Sequence, residues 1–276
     1  MKSFVLTSFS IAAILTLGVV NAGAHINDDF SDGDDTANPT WTHLSRFANS
    51  TGQTWDASTG QYRLRAPNNG VIVSGVRYGF VGSYTGPLHS DSEVKADFVQ
   101  NETGLAYGIA TRLNGLDGVF NTAGRTQGYV YAYEPLARGG LGEMVMYRFG
   151  VSPFDPFQDM GDPAGVEGVD WIRKVTLDFA NKDYTFSVKA VGNTITGVVR
   201  EIGGGIVAYQ SHVDSTYTSG YAGVISVGAT QGPLVLASDI TIDNFMIRFI
   251  PEPTAGVLFA CGAVAMFFGR RYRRTY

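Results

Sequence analysis

Two carboxylates, Glu93 and Asp97, stand four residues apart in the stretch SEVKADFV, where polar and apolar side chains alternate. On a strand, alternation puts both on one face, but a rise of ~3.3 Å per residue separates them by ~13 Å. A retaining glycoside hydrolase holds its acid and its nucleophile only ~5.5 Å apart, so this pair does not suit that reaction. The four histidines, His25, His43, His89 and His212, are scattered, and none has a second ligand at metal-binding spacing. The one cysteine, Cys261, falls in an apolar run near the end, so zinc is not indicated. No Gly-x-Ser-x-Gly elbow and no phosphate-cradling glycine loop occurs. Asp155, Asp159, Asp162 and Glu167 lie in a Pro- and Gly-rich stretch without the spacing of a helix–loop–helix calcium site, and read as a solvated acidic loop. Triads assembled in space do not show in a sequence. A glycan-active hydrolase or lyase with an unrecognised site therefore stays open, as does a purely structural surface protein.

Aromatic side chains suggest a different chemistry. Tyr129, Tyr131 and Tyr133 fall on one face of the stretch Gly128–Glu134. Ring faces stack on sugar C–H groups, so on an open sheet this stripe would hold a polysaccharide. Between two sheets the same rings would pack a core with their hydroxyls reaching the rim. Arg112 falls opposite Ile109 and Thr111 in a strand of small residues. It would donate to a glycan hydroxyl or acid group, or pair with a neighbouring carboxylate.

The elements that must position these side chains are strands. Val175, Leu177 and Phe179 alternate with polar neighbours, as do Tyr184, Phe186, Val188 and Ala190, and the polar run Asn181-Lys182-Asp183 between them predicts a hairpin. Similar stretches fall at 61–66, 71–76, 92–99, 105–113, 128–134, 143–149, 194–200, 206–210, 222–227 and 239–249, most of them separated by Gly or Asn. The longest gap, 150–170, reads as a surface loop. The chain carries 35 Gly, 14 Tyr and 17 Phe with only 16% charged residues, which agrees with many strands and tight turns. The expectation is an all-β, antiparallel two-sheet sandwich.

Both ends read differently from this body. Residues 1–24 hold Lys2, an apolar run from Ile11 to Val20, then Ala22-Gly23-Ala24, the pattern of a secretory signal cut by signal peptidase after Ala24. At the other end Thr254 to Gly269 carry no charge; as a helix these residues extend ~24 Å, enough to span a thinned bilayer. Arg270, Arg271, Arg273 and Arg274 follow and would stay cytoplasmic, leaving the body outside. Pro251 and Pro253 flank Glu252 just before the apolar run and keep that tripeptide extended; a plain tail anchor, with the proline pair as a helix boundary, is the alternative reading. Without Lys2, Glu252 and the four arginines, residues 25–249 hold 15 basic and 24 acidic side chains, a net charge near −9. No basic patch invites nucleic acid. The body also lacks cysteine, so it contains no disulfide.

The tail, residues 250–276, resembles the PEP-CTERM sorting signal of Gram-negative bacteria: Pro-Glu-Pro, a short transmembrane helix and an Arg-rich end, in that order. The resemblance implies recognition by exosortase at Pro251, Glu252 and Pro253, and association with the cell surface or extracellular polysaccharide. Residues 25–249 are similar to laminin-G/concanavalin-A-like jelly rolls. The matching pieces are Asp28-Asp29-Phe30-Ser31-Asp32, Trp41, Trp55 and Gly60-Gln61-Tyr62-Arg63-Leu64 at the start. Ser92–Phe98 and Gly108–Arg112 follow in the middle, with Trp171, Gly220–Val224 and Ile242–Phe245 at the end. This implies stacked sheets with first and last strands side by side, and often carbohydrate binding. Laminarinase-type relatives carry catalytic carboxylates as Glu-x-Asp-x-x-Glu or Glu-x-Asp-x-Glu, which is absent here. Pairing of the terminal strands would bring Asp28 or Asp29 near Asp243, oxygen ligands of the kind a structural calcium takes. Carboxylates in surface turns are the alternative.

Overall fold

The computed structural model describes residues 25–45, 52–66, 71–73, 76–99, 104–114, 127–135, 142–149, 157–159, 172–231 and 234–251. Among them the chain forms 18 strands and no helix, arranged as two antiparallel sheets. Eight strands make one sheet: β1 (His25–Asp28), β3 (Thr54–Asp56), β4 (Tyr62–Ala66), β7 (Ser92–Val99), β13 (Tyr184–Val191), β14 (Thr194–Glu201), β15 (Ile206–Val213) and β18 (Ser238–Phe249). Its order is β15-β14-β13-β7-β18-β4-β3, with β1 also paired to β18. Ten make the other: β2 (Thr42–Ser45), β5 (Val71–Val73), β6 (Val76–His89), β8 (Ala106–Asn114), β9 (Gln127–Glu134), β10 (Glu143–Phe149), β11 (Phe157–Asp159), β12 (Ile172–Lys174), β16 (Gly220–Gln231) and β17 (Leu234–Leu236). Its main path is β11-β10-β9-β8-β16-β6-β2, with β12 paired to β10, β17 to β16 and β5 to β6.

Alternation decides which way each strand faces. Along β7, Ser92, Val94, Ala96 and Phe98 are buried while Glu93, Lys95, Asp97 and Val99 are half-buried on the other face. β13 repeats the pattern, and register sets Tyr184 against Phe98, Phe186 against Ala96 and Val188 against Val94. These side chains meet Tyr107, Ile109, Tyr129 and Val224 of the ten-stranded sheet in one shared core. Strands β8 and β9 are buried on both faces instead. Ala106, Ala110, Val130 and Ala132 join Val145 and Ile225 in a second apolar cluster behind the sheet. Their near-continuous apolar runs reflect that double burial.

The expected pairing of first and last strands is present: β1 runs antiparallel to β18, from His25 opposite Arg248 to Asp28 opposite Phe245. The expected hairpin at Asn181–Asp183 is not. Residues 175–178 are not a strand, and β13 pairs with β7 and β14. The alternation of Val175, Leu177 and Phe179 has another cause, since this segment packs against the core and Leu177 is buried in it. Val175 N–H donates to Gly142 O at 3.3 Å, but hydroxyls take over beyond it: Leu177 N–H donates to Tyr133 Oη at 3.1 Å and Asp178 N–H to Tyr184 Oη at 2.9 Å. Strand β6 extends through Gly79, Gly82, Gly86 and Pro87, residue types that argue against a strand in sequence. The supposed loop 150–170 contains β11, so it is not wholly irregular; the rest of it lies outside the described residues. Residues 25–249 form a compact unit of their own.

Candidate functional site

The tyrosine stripe faces inward. Tyr129, Tyr131 and Tyr133 are 0%, 0% and 3% exposed, so none presents a ring face to a glycan, and the core alternative holds. The Tyr131 ring lies against Gly197 of the facing sheet, where a Cβ would come within 2.6 Å of it. Tyr133 accepts the Leu177 amide, and Tyr129 anchors the connection between β15 and β16. Its hydroxyl donates to Asp214 Oδ1 at 2.5 Å and accepts the Tyr217 N–H at 3.0 Å. Arg148 Nη1 lies 3.0 Å from Asp214 Oδ2, and the Thr216 N–H donates to Oδ1 at 2.8 Å. Burial pushes the Asp214 carboxyl up, but the hydrogen bonds from Tyr129 and Thr216, with the Arg148 charge, outweigh it and leave its pKa below the usual range.

Arg112 has an internal role as well. It is 1% exposed, and its backbone takes φ 54° where the β8 register shifts. Its Nε donates to Ser90 O at 2.9 Å and its Nη1 to Tyr217 O at 2.9 Å. Nη2 donates to Gly192 O at 2.7 Å and to Asp91 Oδ1 at 3.2 Å. The guanidinium therefore ties three connections together at one end of the sheets, and its donors are not offered to a ligand. The Asp91 contact is a carboxylate pairing of the kind expected as the alternative to a glycan contact, and three backbone carbonyls add to it.

Pairing of β1 with β18 does not gather the three aspartates. Asp28 is 7% exposed and accepts Trp41 Nε1–H at 2.6 Å and the Phe30 N–H at 2.8 Å. Burial raises its pKa, against those two bonds. Asp29 closes a local turn onto Ser31, and Asp243 accepts the Asn244 N–H at 2.7 Å. Among the described residues no three His, Cys, Asp or Glu side chains are placed to share a metal ion. Glu93 pairs with Lys95 at 3.0 Å, while Asp97 accepts from Thr185 at 2.6 Å and from Asn244 at 3.1 Å. Both carboxylates are thus absorbed by the outer surface of their sheet. Glu252, Pro253, the four arginines, residues 1–24 and Asp155, Asp162 and Glu167 lie outside the described residues, as does the side chain of Asp159.

One of the scattered histidines does acquire partners. β2 ends the main path of the ten-stranded sheet and β3 ends that of the eight-stranded sheet. Across these edges His43 stacks on Trp55, with ring centroids 4.9 Å apart and planes 2° from parallel. Trp55 Nε1–H donates to Gly82 O in β6 at 3.0 Å, which fixes the indole and ties the two edges together. His43 Nε2 lies 2.7 Å from Asp35 Oδ2, and the imidazole keeps 39% of its surface exposed, against 15% for the Asp35 side chain. Accepting by Asp35 keeps the proton on Nε2; Nδ1 has no hydrogen-bond partner among the described residues. The result is a flat ring, stacked on an indole and bonded at one edge, that stays partly exposed. Sequence did not reveal it, because twelve residues and a change of sheet separate His43 from Trp55.

No family model matches the chain, and no curated protein matches it. Several solved structures are similar in shape. The carbohydrate-binding module CBM66 from Bacillus subtilis is 14% identical with a TM-score of 0.46, over 75% of this chain and 94% of that one. LamAcat from Zobellia galactanivorans is 11% identical with a TM-score of 0.49, over 83% and 98%. Basic winged bean lectin in complex with Tn-antigen is 12% identical with a TM-score of 0.47, over 83% and 99%. Similarity at this level assigns neither ligand nor reaction to this chain.

Proposed function

We propose that the chain is an exported, non-catalytic jelly roll of the concanavalin-A type, held at the cell surface or in the extracellular matrix, where it binds polysaccharide. A secretory leader and a PEP-CTERM tail deliver it, with signal peptidase acting after Ala24 and an exosortase-type enzyme acting at the Pro-Glu-Pro motif. One observation carries this reading: His25–Phe249 forms a compact unit whose limits coincide with both expected processing points. Removing either end takes no strand from it. Pro251 is exposed just beyond β18, as a recognition motif must be. Against catalysis stand the engaged states of Glu93, Asp97 and Asp214, each bonded to neighbours inside the described residues.

The test has two arms. Mass spectrometry of the mature C-terminus, in cells with and without the sorting enzyme, is expected to show loss of residues beyond the motif only when the enzyme is present. An intact tail in both overturns the sorting part. The mature chain is also expected to bind a polysaccharide on a glycan array without releasing reducing or unsaturated ends, and release of such ends from any glycan overturns the non-catalytic part.

A further inference from the structure

We infer that the imidazole of His43, backed by Trp55 and oriented by Asp35, is the ring on which a neutral polysaccharide stacks. This inference rests on the binding function proposed above and names its site. A sugar stacks through its C–H face, and it needs an aromatic plane that is exposed and already immobile, because ordering a mobile ring costs binding free energy. The exposed aromatics differ in this respect. Tyr209 is 58% exposed on β15 without a ring partner among the described residues, whereas His43 is stacked parallel to an indole and bonded at Nε2. In the neutral imidazole Nδ1 remains in the ring plane as an acceptor for a sugar hydroxyl, and in the imidazolium it is a donor; either supplies direction to a contact that stacking alone leaves loose.

The surroundings decide the charge of the ligand. Asp28, Asp29, Asp32, Asp34 and Asp35 fall within eight residues of one another on the segment that supplies the orienting carboxylate. Asp29 is held ionised by its hydrogen bonds from Ser31, and Asp34 by those from Thr36. With Asp35 bonded to the ring and residues 25–249 near −9 overall, uronate and sulfate groups are disfavoured, so the occupant is a polymer of uncharged hexoses and not an acidic exopolysaccharide.

The experiment measures binding of the full chain, in mild detergent, to soluble neutral glucan, galactan and mannan and to alginate, for wild type, His43→Ala and His43→Phe. Wild type is expected to bind at least one neutral polymer and not alginate. His43→Ala is expected to weaken that binding by about tenfold or more, and His43→Phe, which keeps a flat ring, to retain most of it. Wild type that binds none of the four overturns the binding function itself. Wild type that binds a neutral polymer equally well after His43→Ala overturns this site alone. Binding confined to alginate overturns the neutral ligand. Thermal unfolding is recorded beside each isotherm. Should His43→Ala unfold, acylation of wild-type His43 by diethylpyrocarbonate is followed by mass spectrometry with and without the bound polymer. Protection supports the site, and equal labelling overturns it.

Discussion

Arg112 shows how a polar residue serves the fold when each of its three guanidinium nitrogens donates internally. Three backbone carbonyls and Asp91 converge on it from three connections, and replacing it with Met leaves them without their donor, the Tyr217 carbonyl in a buried position. Removing one member of a buried ionic network costs ~3–5 kcal/mol. For a body of this size that is ~6–20 °C in Tm. Arg112→Met is expected to show such a drop by calorimetry, and Arg112→Lys to recover little of it, because an ammonium cannot reach carbonyls in several directions at once. A Tm within 2–3 °C of wild type would count against the knot. Its neighbour His89 contributes a pH dependence. Nδ1–H donates to Pro87 O at 3.0 Å, the ring packs edge-on to Phe249, and Nε2 is buried without a hydrogen-bond partner among the described residues. Burial pushes its pKa down, and the Arg112 charge pushes the same way. The unfolded chain therefore takes up this proton first, near its ordinary pKa of 6.5, while the folded chain resists. Stability from this group is complete above pH 6.5 and is lost as pH falls through the depressed folded value. Urea unfolding at stepped pH is expected to show that decline in wild type and a shallower one in His89→Phe; parallel profiles would refute it.

Among the elements, β9 and β14 meet at a point where no side chain fits on one of them. Gly197 faces Tyr131 across the sandwich, and a methyl group there would sit 2.6–2.7 Å from three ring carbons. The ring is fully buried, so it cannot step aside without disturbing the core. Overpacking of this kind costs ~1–3 kcal/mol. Gly197→Ala is expected to lower Tm by ~2–10 °C, while Gly205→Ala, in open space on the turn between β14 and β15, leaves it nearly unchanged. Equal effects would mean that backbone entropy, not the facing ring, sets the cost. The same pair of strands explains what the sequence disclosed. Period-two patterns at 92–99, 184–190 and 194–200 gave strands, since each exposes one face, and the all-β class followed from them. Pairing partners were harder to read. Val175–Phe179 alternates as a strand does, yet its Leu177 and Asp178 amides bond to tyrosine hydroxyls supplied by β9 and β13, a long-range choice that local periodicity does not encode. The tyrosine stripe showed that one face of β9 is aromatic. Which side of the sheet that face meets depends on strands 50 or more residues away, as Gly197 illustrates. His43 carried no local signal at all, since its indole partner comes from the other sheet.

At the scale of the whole molecule, the ends of the body are held by one strand. β18 lies inside its sheet between β7 and β4 and also pairs with β1, so first and last segments close against each other. Cuts at the two proposed processing points would leave this closure intact, because every described strand lies between them. The consequence is a sharp boundary. A chain reduced to residues 25–249 keeps every described strand and the bond from Trp41 to Asp28, and its Tm is expected to stay within ~2 °C of the full chain in mild detergent. Taking four more residues, His25–Asp28, removes β1 altogether. The lost pieces are the packing of Ile26 on the core, the ladder with β18, and the carboxylate that satisfies the buried Trp41 indole and the Phe30 amide. An orphaned buried donor costs ~1–3 kcal/mol. With two donors left and a strand gone, the second truncation is expected to lower Tm by ~10 °C or more. Scanning calorimetry of the two truncated chains decides it. A large drop already at residues 25–249 would mean that the leader or the tail is part of the folded body, and the claim that both are dispensable after export would then fail.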